Sequence, residues 1–422
     1  MKRYDVIVVG GGASGLFAAA HIAASGLSVL VVDPNRFLGR KLRITGKGRC
    51  NLTNNCSAED VMKNVLRNPK FLYSALSKMP PEKIMSWFDN HGVQLKTERG
   101  RRVFPISDRA NDVAEALVSA CKESGVQFLQ SKVTEILIKE GEVFGVKCSD
   151  KEFFADNVIL ACGGMSYPRT GSDGNGYNLA QKLGHTVVKP QPSLVPIETE
   201  ESFCQELSGL TLKNVTLNLL DTSKPKKPIY SELGELTFMQ YGIAGPLGLS
   251  ASCLMDADKL QCKVYKLVID LKPALSHEQL DLRIQRDIKV SPQMSVYELL
   301  CGLLPRDLAQ VAADVINIDK AAHSGNLTRE ERLLIVSFLK QFELIPNALR
   351  TFDEAIITRG GISVKEIFPA SMESKLVKDL YFTGEIIDCD AFTGGYNLTI
   401  AFATAYSAAV DIISKKEVGK WD

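Results

Sequence analysis

Residues 4–9 (YDVIVV) form a short apolar, β-branched run that reads as a buried strand. The run breaks into Gly10-Gly11-Gly12-Ala13-Ser14-Gly15. Residues 16–25 then follow an alanine-rich helical pattern that Gly26 is placed to end. A second β-branched strand, residues 28–32, closes on Asp33. Residues 58–91 read as helical, with Phe71, Tyr73, Trp87 and Phe88 as packing positions, and residues 100–105 (GRRVFP) interrupt the pattern. A helix over 110–124 leads into a strand over 126–129. Residues 133–138 and 143–148 pattern as a hairpin around Gly141, and residues 153–162 (FFADNVILAC) form a further buried strand ending on Gly163-Gly164. Strands alternating with helices in this way predict a doubly wound, mainly parallel sheet.

The texture changes near Lys189, where Pro190, Pro192 and Pro196 mark a boundary. Short strands follow up to about residue 269, among them 215–220 and 266–269, with residues 224–228 (KPKKP) as a turn. Residues 275–339 are helical in pattern, with Leu299, Leu300, Leu303, Leu304, Leu308 and Val311 on one core-facing stripe and Pro305 dividing it. The opening texture returns at the end: a strand at 380–383, then Gly384-Glu385, then Thr393-Gly394-Gly395-Tyr396-Asn397 and an alanine-rich helix from Leu398 to about Ile413. The expected architecture is α/β. A Rossmann-like domain over 1–190 and 355–422 is interrupted by a β-rich, barrel-like insert over 191–273, which carries a small helical subdomain over 274–340 and a return over 341–354.

Composition narrows the classes. With 50 Lys and Arg against 49 Asp and Glu in 422 residues, the net charge is +1, so no global field favours nucleic acid or an anionic membrane. No uninterrupted apolar run approaches a membrane span, and the three glycines that cut the first run do not suit a signal peptide. Ten cysteines without a C-x-x-C pair point to reduced thiols and a cytoplasmic setting, and argue against a disulfide reductase or a zinc ribbon. The five histidines lie far apart in sequence, so no metal site is expected.

The chemistry concentrates in the opening motif. Strand, G-x-G-x-x-G, helix, strand and acid occur at the spacing of a dinucleotide fingerprint. Gly10 permits the tight turn, Gly12 lets backbone approach a pyrophosphate, Gly15 lets the helix pack on the strand, and Asp33 can accept from ribose hydroxyls. The helix N-terminus supplies unpaired N–H groups and partial positive charge. Residues 39–54 (GRKLRITGKGRCNLTN) interleave Arg40, Lys41, Arg43, Lys47 and Arg49 with Gly39, Gly46 and Gly48. A solvated basic loop and a nucleic-acid contact are two readings, the second weakened by the lack of a stacking aromatic. The preferred reading turns these cations toward the pyrophosphate, with Cys50 and Asn51 near the reactive ring. Beside Arg49, the Cys50 thiol could have a lowered pKa, but no cysteine is spaced to resolve it, so Cys50 is expected to pack without reacting. The Gly394-Gly395 turn, opening a second helix, is expected to stabilise negative charge near N1 and O2 of a reduced flavin. Gly242 to Gly248 has the wrong spacing for a second nucleotide motif and contains Pro246, so no Rossmann-type site for NAD(P)H is evident.

Together, Gly10 to Gly15, residues 39–54, Arg102-Val103-Phe104-Pro105, Ala161-Cys162-Gly163-Gly164 and Thr393 to Asn397 resemble the bacterial BaiN/YhiN-type flavoproteins, often labelled NAD(P)/FAD-dependent or aminoacetone-oxidase-type. The resemblance covers nearly the whole chain and implies an FAD domain interrupted by a barrel-like insert. It implies FAD contacts at Gly12, Ser14, Gly15, Asp33, Lys41, Gly46, Arg49, Cys50 and Asn51. It implies further contacts at Val133, Ala161, Gly163, Gly164, Gly384, Glu385, Gly395, Tyr396 and Asn397. Gly10, Ala13, Arg40, Gly48 and Gly394 complete the candidate cofactor set, and no catalytic residue is assigned. The expected function is FAD-dependent hydride transfer from diffusible NAD(P)H to a small unsaturated or carbonyl acceptor. The insert is expected to cover the flavin and shape the cleft for that acceptor. The alternatives are an oxygen-using oxidase, an RNA-associated flavoprotein and a protein whose FAD is structural. Neither a nucleic-acid nor a membrane partner is expected, and the oligomeric state is left open.

Overall fold

The structure, a computed structural model, describes residues 3–224 and 227–418. The centre of the 224–228 turn, Pro225 and Lys226, lies outside the described residues. The chain divides into two compact units, Met1–Ser193 with Thr351–Asp422, and Leu194–Arg350.

The first unit is built on a seven-stranded sheet. Its strands are β1 (Arg3–Val9), β2 (Val29–Asp33), β3 (Gln127–Gln130), β4 (Val133–Lys139), β5 (Glu142–Cys148), β6 (Lys151–Leu160) and β7 (Leu380–Phe382). The order is β3-β2-β1-β6-β5-β4, with β7 pairing the last three residues of β6. β3, β2, β1, β6 and β7 are parallel, and the β4–β5 hairpin is antiparallel. β1 shows why the opening run is almost unbroken in apolar character: Val6 to Val9 are all buried, as a parallel strand covered on both faces requires. Three helices cover the sheet: α1 (Ala13–Ala24), α2 (Ala110–Glu123) and α3 (Tyr396–Val418). α1 starts at Ala13, three residues before the pattern suggested, because Gly12 already serves as its N-cap.

α3 packs against α1, and Ile400, Phe402, Ala403, Ala405, Ala408, Ala409 and Ile412 are buried. By length and hydropathy Tyr396–Glu417 could cross a membrane, although no uninterrupted apolar run in the sequence suggested a span. Most of this segment is buried in the protein, which accounts for its composition as a core helix.

Two features depart from the pattern. The stretch 58–91 is four short helical pieces, broken where Asn68 takes a left-handed conformation before Pro69 and again at Pro80-Pro81. The GRRVFP stretch carries a strand, Arg102–Pro105, paired antiparallel with Thr53–Asn54 and Leu95–Glu98. That small sheet packs the end of the basic loop.

The second unit is a seven-stranded antiparallel sheet in the order Phe342–Leu344, Tyr265–Asp270, Thr211–Asp221, Tyr230–Met239, Gly242–Ala244, Ile197–Thr199, Pro346–Leu349. Its helices include His277–Val290, Val296–Cys301, Arg306–Val315 and Arg329–Lys340, and Pro305 is the N-cap of the third. The Leu299, Leu300, Leu303, Leu304, Leu308 and Val311 stripe is buried in this unit's core.

Candidate functional site

The candidate residues gather in the first unit at the C-terminal ends of its parallel strands, where ligands of doubly wound sheets bind. Gly10 follows β1, Asp33 ends β2, Ala161, Gly163 and Gly164 follow β6, and Gly384 and Glu385 follow β7. Ala13, Ser14 and Gly15 form the first turn of α1, and Tyr396 and Asn397 open α3. Val133 starts β4, where its carbonyl accepts from Asn175 Nδ2 at 2.9 Å.

The glycine loop has both close contact and room. A Cβ at position 15 would lie 2.0 Å from the Gly10 carbonyl oxygen, so only glycine lets α1 start this close to β1. At Gly12, by contrast, nothing lies within 4 Å of an added Cβ, and no side chain caps the helix N-terminus there. Close by, Thr383 is fully buried next to Gly384, and its Oγ1 is without a hydrogen-bond partner. An open, uncapped helix N-terminus beside an unsatisfied buried hydroxyl fits a polyanionic group such as a pyrophosphate. Asp33 organises the same loop: its Oδ2 accepts from Gly11 N at 2.7 Å and its Oδ1 from Asn35 N at 2.8 Å. Oδ1 also accepts from Asn35 Nδ2 at 3.0 Å, so it is Oδ2 that retains capacity for a ribose hydroxyl.

The basic loop departs from its preferred reading. Arg49 is already engaged: it pairs with Glu98 and Asp108 at 2.5 and 2.6 Å, and its guanidinium lies 4.3 Å from the Phe104 ring centroid. Arg43 pairs with Glu115 at 2.7 Å. Arg40 donates to Asn35 Oδ1 at 3.3 Å. These side chains are satisfied by acceptors that sequence spacing does not reveal. Lys41 does reach inward, bonding Glu385 Oε2 at 2.6 Å and Ser166 Oγ at 2.5 Å.

Gly46 and Lys47 take left-handed conformations, as do Gly48 and Cys50, which coils the loop tightly. The coil buries Cys50 completely, and burial pushes its thiol up to about 12, only partly offset by a hydrogen bond with Thr45. The expectation of a lowered pKa is therefore corrected, because the thiol is desolvated and Arg49 is engaged by Glu98 and Asp108.

A second correction concerns the Gly394-Gly395 turn. With its amide oriented to suit its neighbours, Asn51 donates to the Thr53 and Val103 carbonyls, and its oxygen accepts from Gly395 N at 3.0 Å. Gly395 N–H is thus committed to Asn51 rather than presented outward. Asn54 Nδ2 donates to the Gly394 carbonyl at 3.0 Å, and Asn397 ties back to Ala391 N and O at 3.0 and 2.8 Å. What this turn can offer a ligand is the N-terminal end of α3. Beside it lies a cleft of about 270 Å³ lined by Asn54, Cys56, Asp60, Asn64, Gly100, Arg101 and Tyr396.

Sequence reasoning missed two groups. Ser166 and Thr358, both buried, meet Lys41 and Glu385. Asp388 and Asp390, just before the turn, meet Asn68 and Arg67. Arg67 Nη1 donates to both Asp390 oxygens at 2.6 and 2.7 Å. Burial raises both carboxyl pKa values, opposed at Asp388 by the Asn68 hydrogen bond and at Asp390 by Arg67. The D-x-D spacing beside a glycine turn was a visible signal. Among the described residues no cluster suits a metal ion.

The family model described as the HI0933-like protein Rossmann domain matches residues 4–411. The chain belongs to the HI0933-like family. As a member it is a flavoprotein oxidoreductase with an FAD-binding Rossmann domain. It is 31% identical to a ribosomal RNA dihydrouridine synthase of Haemophilus influenzae, over 98% of this chain and 99% of that one. It is 28% identical to the Escherichia coli protein of the same name, over 99% and 100%. It is 29% identical to a 3-dehydro-bile acid delta(4,6)-reductase of Clostridium scindens, over 95% and 97%. Among solved structures it is similar in fold to a 3-ketosteroid delta1-dehydrogenase of Sterolibacterium denitrificans. There the TM-score is 0.52 and the identity 13%, over 98% of this chain and 100% of that one.

Proposed function

We propose that this protein is an FAD-dependent reductase of a carbon–carbon double bond conjugated to a carbonyl, that NAD(P)H is its diffusible donor, and that its acceptor is a uracil ring in ribosomal RNA. One observation carries the reading. All three whole-length relatives described above have names that imply this chemistry: dihydrouridine is uridine with the ring double bond of its base saturated beside a carbonyl, and a 3-dehydro delta(4,6) compound is an extended enone. Two of the three act by name on ribosomal RNA, which supports RNA over a small molecule despite the net charge of +1.

Bound FAD supplies hydride chemistry at its N5 position. The chain's own residues bind and orient. The N-terminus of α1 at Gly12 would hold the pyrophosphate, Asp33 the adenosine ribose, and Lys41 with Glu385 the middle of the cofactor. Arg40, Gly46, Gly48 and Asn51 would shape the loop around it, with Val133, Ala161, Gly163 and Gly164 lining it along the strand ends and the first turn of α3 near its ring. Lacking a second nucleotide-binding motif, the chain takes NAD(P)H without a domain dedicated to it.

Purified protein loaded with FAD should convert uridine to dihydrouridine in ribosomal RNA when NADPH or NADH is added, read by mass spectrometry of digested nucleosides. A second reading, a small steroid-like enone as acceptor, is supported by the Clostridium scindens relative. Turnover of a 3-oxo-4-ene steroid with RNA left unchanged decides for it. NAD(P)H-dependent oxygen consumption with neither acceptor reduced would mark an oxidase.

A further inference from the structure

The chain re-enters the first unit through the strand Ile357–Ile362, and Thr358 on that strand is 1% exposed. Thr358 Oγ1 accepts from the backbone N–H groups of Met165 at 2.7 Å and Ser166 at 3.0 Å. The Thr358 N–H donates to Glu385 Oε1 at 2.8 Å, and Ser166 Oγ donates to that same oxygen at 2.8 Å. Lys41 Nζ closes the arrangement on Glu385 Oε2 and on Ser166 Oγ. A Cβ at position 164 would lie 2.4 Å from Thr358 Oγ1, so the glycine loop after β6 is fitted to this hydroxyl.

We infer that Thr358 is the positioning residue of the Lys41–Glu385 pair, and that it sets the carboxylate and ammonium for FAD before FAD arrives. The inference rests on the FAD-binding reading above. Glu385 is held by one backbone N–H, one hydroxyl and one ammonium drawn from three distant segments, which leaves its carboxylate little freedom to lose on binding. Thr358 provides the N–H itself, and through Oγ1 it fixes the loop that places the Ser166 hydroxyl. Thr358→Val keeps the shape but removes the acceptor for two buried N–H groups, so the loop must move.

The test is a double-mutant cycle on the FAD dissociation constant, read by flavin fluorescence with apo-protein. In the otherwise native chain, Thr358→Val should weaken FAD binding by about tenfold and Thr358→Ser by no more than about twofold. In a Glu385→Gln background Thr358→Val should cost no more than about twofold, because the interaction it supports has already been removed. An equal loss in both backgrounds, or a lower melting temperature with unchanged FAD affinity, would overturn the inference by making Thr358 a general packing residue. If Thr358→Val does not fold, Thr358→Ala enters the same cycle, since it also removes Oγ1 but leaves room for a water to satisfy the two backbone N–H groups of Met165 and Ser166. Native protein that takes up no FAD overturns the proposed function, and that failure is distinct because the first two require native protein to bind FAD.

Discussion

Cys50 shows how one residue's surroundings reverse what its neighbours in sequence suggest. Arg49 adjoins it, yet Arg49 is engaged by Glu98 and Asp108, and Cys50 is sealed from solvent. With the thiol pushed up to about 12, its thiolate fraction at pH 8 is on the order of 10⁻⁴. Cys50→Ser should therefore retain FAD and most activity, and iodoacetamide at pH 8 should leave Cys50 unmodified in the folded protein, read by peptide mass spectrometry. The linkage has a definite sign. The folded pKa lies above the ordinary value of 9.0, so this group's contribution to stability is intact below pH 9 and is lost as pH rises toward about 12. Denaturation midpoints measured across that window should fall less steeply in Cys50→Ser than in the native chain. Gly395 makes a second case. Its φ is +95°, and a Cβ there would lie 2.4 Å from the Thr53 carbonyl. Gly395→Ala should cost about 1–3 kcal/mol from the backbone conformation alone and more from the clash, measured by urea denaturation. Unchanged stability would mean that the turn relaxes freely.

Among the elements, helix ends and strand pairings differ in how openly the sequence declares them. Thr328 caps Arg329–Lys340 with a reciprocal capping box to Glu331, and Ser276 and Ser295 do the same for two other helices of the second unit. Such caps are local, three residues from donor to acceptor, and legible in the chain. Thr328→Ala should cost about 1 kcal/mol, with faster amide exchange in Arg329–Lys340 of the full chain. Exchange unchanged there would show that tertiary packing alone holds the helix. The Arg102–Pro105 strand is the opposite case. Its partners lie at Thr53–Asn54 and Leu95–Glu98, and its alternation is too short to distinguish from loop, so it passed as an interruption. α3 illustrates a third situation: its apolar composition alone does not distinguish a core helix from a membrane span, and only the fold shows that most of it is buried, in part against α1.

Taken whole, the molecule is an oxidoreductase of the HI0933-like family whose candidate site lies at the C-terminal ends of the parallel strands of a doubly wound sheet. Heating purified protein should release FAD, not FMN, since the α1 N-terminus and Asp33 are arranged for a pyrophosphate and an adenosine ribose that FMN lacks. Chromatography of the supernatant decides it. A colourless protein that binds NAD tightly would overturn the flavin reading and favour a nicotinamide dehydrogenase.

The mainly parallel sheet, the turn at Gly10 to Gly15 and the placement of Asp33 were open to inference from the sequence alone. The reason is steric and local. A glycine whose added Cβ would fall 2.0 Å from a carbonyl oxygen, the helix it belongs to and the acid that closes the next strand all fall within 33 residues, and each constrains the next. The partners of the charged groups were not open in this way. Lys41 and Glu385 are 344 positions apart, and Thr358 meets Ser166 across 192. Side-chain pairing at that separation depends on which strands lie side by side, and hydropathy patterns do not encode it. For the same reason tertiary structure alone decided that Arg49 faces carboxylates, that the Cys50 thiol is neutral, and that Gly395 N–H is already held by Asn51.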